Sequence, residues 1–130
     1  MLKRIKELLE HNILSLAIIA TLIIAFLSLT AIPKINMGLE IKSSDKILHI
    51  LAYFTLSSVW FLALQKQMGN LYFKLVLILS LIGYGIILEA LQNGITTYRT
   101  GDILDVIANT IGVLLALLFS RRFISWFKAF

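Results

Sequence analysis

The sequence predicts an all-α membrane protein, a bundle of four transmembrane helices, from two observations. The chain has 130 residues, of which 59% are hydrophobic and only 15% charged. Charged residues usually make up about a quarter of a soluble domain, so these are too few to cover a globule in water. Four long apolar runs also use most of the sequence, which leaves no room for a separate soluble domain. We therefore expect a single membrane domain over residues 1–130.

The four apolar runs have the lengths of transmembrane helices. The first, at 13–32, contains 20 residues without a charge, and Pro33 ends it. Such a run matches a hydrocarbon core of about 30 Å. It is too long for a signal peptide and no small-residue cleavage site follows, so we expect an uncleaved span. The other three runs carry more polar residues, and we place these spans at 47–64, 71–92 and 102–119.

Both ends of the chain are predicted to lie at a membrane surface. Segment 1–12 alternates apolar and charged residues at helical spacing, and segment 120–130 mixes aromatic with basic residues. Of the 12 Lys and Arg residues, eight lie in these ends, in the second connection or, as Lys74, in the first turn after it, against four in the first and third connections. The positive-inside rule therefore places both termini in the cytoplasm. The net charge of +5 reflects this placement and indicates no nucleic-acid partner.

Polar residues make the second, third and fourth spans less hydrophobic than the first. We expect these residues to meet at the outer face of the membrane. In this topology helix two starts there, helix three ends there and helix four starts there again. Seven candidate binding residues then lie within about two helical turns of that surface. They are Asp45, His49, Glu89, Gln92, Asp102, Asp105 and Asn109. Because ionisable groups at membrane depth are costly, these faces predict one polar pocket open to the outside.

Two further residues complete the candidate set. Tyr53 shares one face of helix two with Asp45 and His49, and Arg99 lies in the short connection between helices three and four. Arg99 is the only strong base of that connection and can pair with a carboxylate of the chain, or with a phosphate or carboxylate of a ligand. Glu89, expected in the last turn of its helix, lies at the negative end of the helix dipole and needs a cation, a proton or a metal.

Structural explanations remain open for several of these residues. Asp45 and Asp102 each precede a helix and are equally compatible with N-caps. Asn109 can serve as a hydrogen-bonding residue between helices. A lone His49 is usually a structural histidine, and Tyr53 is expected to pack. An ion-pair network without any ligand is a further explanation of the whole set.

At these positions the sequence resembles the VanZ-like family, named for a teicoplanin-resistance protein of bacteria. The resemblance covers about 45–119 and rests on three pieces in order: D-K-x-x-H-x-x-x-Y from Asp45, E-x-x-Q from Glu89, and R-x-x-D-x-x-D-x-x-x-N-x-x-G from Arg99. Asp102 is one departure, because a small polar residue is expected at that position about as often. The resemblance implies a small multi-pass protein of the bacterial cell membrane, associated with resistance to a lipid-tailed glycopeptide, and it supplies no molecular mechanism.

Three functions compete at the sequence level, and whether the chain is an enzyme stays open. The first is binding of an anionic, lipid-linked ligand, such as a cell-wall precursor or the lipoglycopeptide itself, beside the membrane lipids. The second is an intramembrane enzyme acting on lipid head groups, with His49, Glu89 and Asp105 as catalytic candidates. A divalent metal is a possible cofactor there, on Asp45, His49, Glu89 and Asp105. The third, a proton-relaying transport subunit, is disfavoured because the polar residues gather at one face. The absence of cysteine excludes thiolate ligands.

Overall fold

The computed structural model describes residues 1–29, 44–95 and 103–129, and the side chains of residues 44, 45, 93 and 95 are outside this description. Within these ranges the helices are α1 (Leu2–Leu29), α2 (Ser44–Ala63), α3 (Leu71–Ile95) and α4 (Ile103–Ala129). All four are long and apolar enough to cross a membrane. The predicted all-α fold with four membrane-spanning helices is therefore confirmed.

The helices are longer than the predicted spans. α1 starts at Leu2, so segment 1–12 continues directly into the first span, and α4 runs to Ala129 through segment 120–130. α3 ends at Ile95, three residues beyond its predicted end at residue 92. Apolar runs mark only the part of a helix inside the hydrocarbon, whereas backbone hydrogen bonding continues into the interface. Residues 30–32 and 102 of the predicted spans lie outside the described residues.

The main contacts follow the order α1, α2, α4, α3 and back to α1, and the most extensive contact joins α2 to α4. Small residues allow this approach: Ala108, Gly112 and Ala116 recur every fourth position on α4 and all are buried. A Cβ added at Gly112 would lie only 2.5 Å from the carbonyl oxygen of Ile50. This is the close backbone approach that small residues give to membrane helices.

The outer surface of the bundle is more apolar than that of a water-soluble protein. On α1 only Ala17 is buried, and large side chains such as Leu22 and Phe26 point outward with 64% and 65% exposure. The buried set instead includes charged and amide side chains, among them Glu89 and Asp105. An apolar exterior around polar interior groups is the arrangement that a lipid environment stabilises.

Hydrogen bonds attach α1 to its two neighbours. The indole Nε1 of Trp60 on α2 donates to the hydroxyl of Thr21 at 3.0 Å, and the Tyr84 hydroxyl on α3 donates to the Thr21 carbonyl oxygen. At the basic ends, Lys6 Nζ donates to the carbonyl oxygen of Lys128 at 2.8 Å. The start of α1 and the end of α4 therefore lie at the same end of the bundle.

Candidate functional site

Five polar side chains from three helices meet at the end of the bundle where α2 and α4 start. We call them the polar cluster: Lys46, His49, Glu89, Asp105 and Asn109. Each lies about two turns or less from the nearest helix end, so the cluster sits roughly 10 Å from that end or closer. The prediction that polar residues of the last three helices lie at one depth therefore agrees with the geometry.

Helical spacing gives α2 and α4 two adjoining members of the polar cluster each, whereas α3 has one. Lys46 and His49 are three residues apart on α2, and Asp105 and Asn109 are four apart on α4, so each pair shares one face. α3 contributes Glu89 and, three residues on, Gln92. Gln92 donates through Nε2 to the carbonyl oxygen of Ser28 at 2.7 Å, which satisfies one of the last carbonyls of α1.

Asp105 is the centre of the polar cluster. Lys46 Nζ donates to its Oδ1, and the Nε2 atom of His49 lies 3.7 Å from its Oδ2. The side chain of Asp105 is only 7% exposed, whereas those of His49 and Lys46 are 19% and 26% exposed. Asp105 also lies in the first turn of α4, where the positive end of the helix dipole favours a carboxylate. Two partly exposed basic side chains therefore lie next to the buried carboxylate of Asp105.

Asn109 fixes the direction of the His49 ring. The Nδ1 atom of His49 lies 3.0 Å from Asn109 Oδ1. An amide oxygen only accepts, so in this orientation Nδ1 donates to Asn109, and Nε2 faces Asp105. A Cβ at Gly85 would lie 3.1 Å from Asn109 Nδ2, and one at Gly112 would lie 3.1 Å from the Cβ of Tyr53. Glycines on α3 and α4 therefore make room for the residues behind the ring.

Glu89 lies beside His49 and Asp105, but its position along α3 differs from the prediction. It is 6% exposed, and its carboxylate reaches within 4.8 Å of ligand atoms of both His49 and Asp105. The expectation that Glu89 occupies the last turn of its helix is wrong, because α3 continues to Ile95. The repulsion by the helix dipole that we inferred is correspondingly weaker, and the carboxyl group of Glu89 lies buried near that of Asp105.

The remaining sequence candidates divide into two groups. Tyr53 is 3% exposed in the hydrophobic core, with its ring centroid 6.4 Å from that of Tyr84, which favours packing. Arg99, Asp102 and the side chain of Asp45 lie outside the described residues. Lys46 is the residue that the candidate set missed, because it was counted as a topogenic charge and as part of the motif of the resemblance but not as a site residue. Its position three residues before His49 was the available signal.

The pattern of these residues along the chain can be compared with known families. A family model for VanZ/LLP1 matches residues 3–125. The chain belongs to the VanZ/LLP1 family. The match extends the resemblance from 45–119 to both ends, so α1 is included and the VanZ-like assignment is confirmed. No curated protein and no solved structure matches the chain significantly. This VanZ-family protein is thus a multi-pass membrane protein whose chemistry has to be inferred from the polar cluster.

Proposed function

We propose that this VanZ-family protein binds an anionic, lipid-attached molecule of the bacterial cell envelope at the polar cluster, and thereby contributes to resistance to the glycopeptide teicoplanin. The observation that carries the proposal is the meeting of ionisable side chains from three helices at one end of an apolar bundle. Ionisable groups are expensive at membrane depth, so such a concentration favours a function over a purely structural role.

The more exposed side chains of the polar cluster suit an anionic head group. Lys46 and His49 are the most exposed members of the polar cluster, and both are nitrogen donors when protonated. Arg99, three residues before Asp102 in the sequence, is a further candidate for bidentate contact with phosphate or carboxylate. A lipid tail could lie in the bilayer against the apolar outer surface while its head group reaches these donors.

Native mass spectrometry of the purified protein tests the binding step. Polyprenyl phosphate and polyprenol share the same tail and differ only in the head group, so we expect retention of the phosphate and not of the alcohol. Arg99→Ala and Lys46→Ala should each reduce retention several-fold. Lys66→Ala is the matched control, because Lys66 is exposed in the connection between α2 and α3. Equal retention of both lipids, or by all variants, would refute the proposed ligand class.

A resistance assay tests the biological step. A susceptible bacterium expressing the wild-type chain should tolerate more teicoplanin and no more vancomycin than one with an empty vector. Glu89→Gln and Asp105→Asn should remove this protection while the protein remains in the membrane at the same level. Protection that survives both changes would show that the polar cluster does not act in resistance.

A second candidate, an intramembrane enzyme acting on lipid head groups, is favoured by the orientation of His49. With Nδ1 facing Asn109, the Nε2 atom lies 3.7 Å from Asp105 Oδ2, where it could accept a proton from water as a general base. Incubation with phospholipid and with polyprenyl phosphate should then release a head-group product. His49→Gln should abolish release while retaining bound lipid, and an absence of turnover in the wild type would leave binding as the function.

A further inference from the structure

We propose that His49, Glu89 and Asp105 form a binding site for one divalent metal ion, with Zn²⁺ or Mn²⁺ as the natural occupants. Each residue offers one ligand atom, and these three atoms lie within 4.8 Å of one another. They come from α2, α3 and α4, so the site would join three helices at the end of the bundle where α2 and α4 start. It requires only residues of this chain and is therefore independent of which lipid, if any, binds.

The distances are close to those of a coordinated ion. In a tetrahedral zinc site with bonds of about 2.0–2.1 Å, neighbouring ligand atoms are separated by roughly 3.3 Å. His49 Nε2 and Asp105 Oδ2 are 3.7 Å apart, only a few tenths of an ångström more. Glu89 has a flexible side chain, and a change of rotamer can bring its oxygen in from the 4.8 Å limit.

The surrounding contacts prepare two of the ligands. The Asn109 Oδ1 atom faces Nδ1 of His49, which directs Nε2, the nitrogen that would bind the ion, toward the carboxylates. Lys46 binds Oδ1 of Asp105 and so leaves Oδ2 facing His49. A hydrogen bond behind each ligand is the usual means of fixing its orientation at a metal.

Electrostatics also favour a cation at this point. Glu89 and Asp105 are both buried, and their carboxylate ligand atoms lie within 4.8 Å of one another. Two carboxylates this close repel each other in a medium of low dielectric constant, and a dication between them removes that repulsion. One imidazole with two carboxylates is a donor set of borderline to hard character, which suits Zn²⁺ and Mn²⁺.

The site would leave coordination positions for another molecule. The three ligands found among the described residues do not fill the four positions of zinc, nor the six of manganese, so further donors such as water or an anionic oxygen would complete the shell. A phosphate oxygen of a lipid head group would fit that position. The metal would then explain how a cluster containing two buried carboxylates can bind an anion.

Cobalt substitution measures the site directly in the full-length protein purified in detergent. After removal of metals with a chelator, titration with Co²⁺ should give a visible d–d absorption band that saturates at one ion per chain. Equimolar Zn²⁺ should remove the band by displacement. Failure to bind Co²⁺ and Zn²⁺ stoichiometrically would overturn the proposal, whatever the behaviour of the variants.

Variants then locate the ion. His49→Ala, Glu89→Gln and Asp105→Asn should each weaken Zn²⁺ binding at least 100-fold, and Asn109→Ala about 10-fold or more, because Asn109 acts behind the ligand. His11→Ala is the matched control, since His11 is exposed on α1 beside Glu7 and Glu10 at the opposite end of the bundle. Unchanged circular dichroism confirms folding. Loss of binding in His11→Ala, with retention in the three ligand variants, would assign the ion to α1 and refute the site.

The lipid experiment separates the two proposals. Metal binding is measured without added lipid, and polyprenyl phosphate retention is measured with and without a chelator. Metal binding without lipid retention would support the metal site and refute the proposed lipid ligand. Lipid retention without metal binding would support the lipid ligand and refute the metal site.

Discussion

The two oxygens of Asp105 have different partners, and this division organises the polar cluster. Oδ1 accepts from Lys46, while Oδ2 faces Nε2 of His49 at 3.7 Å. A carboxylate that is 7% exposed needs such neighbours, because an isolated charge would be costly to desolvate. The ammonium of Lys46 therefore contributes to stability as well as to any ligand.

Replacing Lys46 should reveal this contribution. Lys46→Met removes the charge and keeps the length, so the free energy of unfolding should fall by about 1–3 kcal/mol because Asp105 loses a charged hydrogen-bond donor. The loss is below that of a fully buried pair because Lys46 is 26% exposed. Lys66→Met, at an exposed lysine, is expected to change stability by less than about 0.5 kcal/mol. Thermal unfolding in detergent measures both, and equal stabilities would contradict the role assigned to Lys46.

Two glycines on α3 provide a matched test of the space behind His49. A Cβ at Gly85 would meet Asn109 Nδ2 at 3.1 Å and the Tyr53 ring at 3.3 Å, whereas one at Gly83 would meet nothing within 4 Å. Gly85→Ala should lower the free energy of unfolding by about 1–2 kcal/mol through overpacking. Gly83→Ala should leave it unchanged or raise it by up to about 1 kcal/mol, because alanine favours the helix. Unfolding in detergent decides, and the same response from both variants would exclude a packing role for Gly85.

At the residue scale, the sequence predicted the features that depend on topology alone, such as the depth of the site residues. His49, Glu89, Asp105 and Asn109 were predicted to share one depth, and they do. The partner of Asp105 was not predicted, because a lysine at a helix start is equally suited to the membrane surface and to an ion pair. Only the relative rotation of α2 and α4 decides between these, and that rotation depends on packing.

At the scale of the element, α2 and α4 owe their contact to a missing side chain. Gly112 places its Cα against the backbone of Ile50 and Phe54, where a Cβ would lie 2.5 and 3.0 Å from backbone atoms. A backbone cannot rotate away as a side chain can. The same contact sets the register that places Lys46 opposite Asp105, so the packing of these helices and the polar cluster are linked.

Gly112→Ala should therefore force the two helices apart. We expect a loss of about 2–3 kcal/mol in the free energy of unfolding, as for other overpacked interiors. The shift should also weaken the contact between Lys46 and Asp105. Gly94→Ala is the control, because nothing lies within 4 Å of a Cβ there. A Gly112→Ala protein as stable as Gly94→Ala would mean that the helices are not held this closely.

Helix α1 depends on a small number of polar contacts. Thr21→Val removes the hydroxyl that accepts from Trp60 but keeps the shape of the side chain, and it should cost about 1 kcal/mol, in the range of hydrogen bonds between membrane helices. Thr110→Val is the matched control, since the described hydrogen bond of that hydroxyl returns to Val106 of its own helix. Unfolding in detergent measures the difference. A larger loss of stability in Thr110→Val than in Thr21→Val would contradict the role assigned to the Thr21 hydroxyl.

The elements themselves were predictable, but their ends were not. Each apolar run corresponds to one helix, because backbone groups in lipid have to be paired within the segment. The continuation of α3 to Ile95 and of α4 to Ala129 lies in sequence of ordinary polarity, where helix and loop are similar in cost. This uncertainty matters for Glu89, whose relation to the helix dipole changed when α3 proved longer than predicted.

At the scale of the whole molecule, charge is distributed along the bundle axis. The basic residues of α1 and α4 lie at the end where Lys6 contacts Lys128, whereas Glu89 and Asp105 lie near the opposite end. With the positive-inside rule, this asymmetry predicts that the basic end faces the cytoplasm and the polar cluster faces outward. A cluster facing outward could reach envelope molecules that never enter the cell.

Cysteine labelling tests this orientation, and the absence of native cysteine makes each introduced thiol unique. Thr97→Cys follows the end of α3 by two residues in the sequence, and it should react with an impermeant maleimide added to intact cells. Gln67→Cys is the matched partner, because Gln67 is exposed in the connection between α2 and α3 at the opposite end. It should react only after the membrane is permeabilised. The reverse pattern would place the polar cluster on the cytoplasmic side, and the ligand would then have to be a molecule of the inner leaflet.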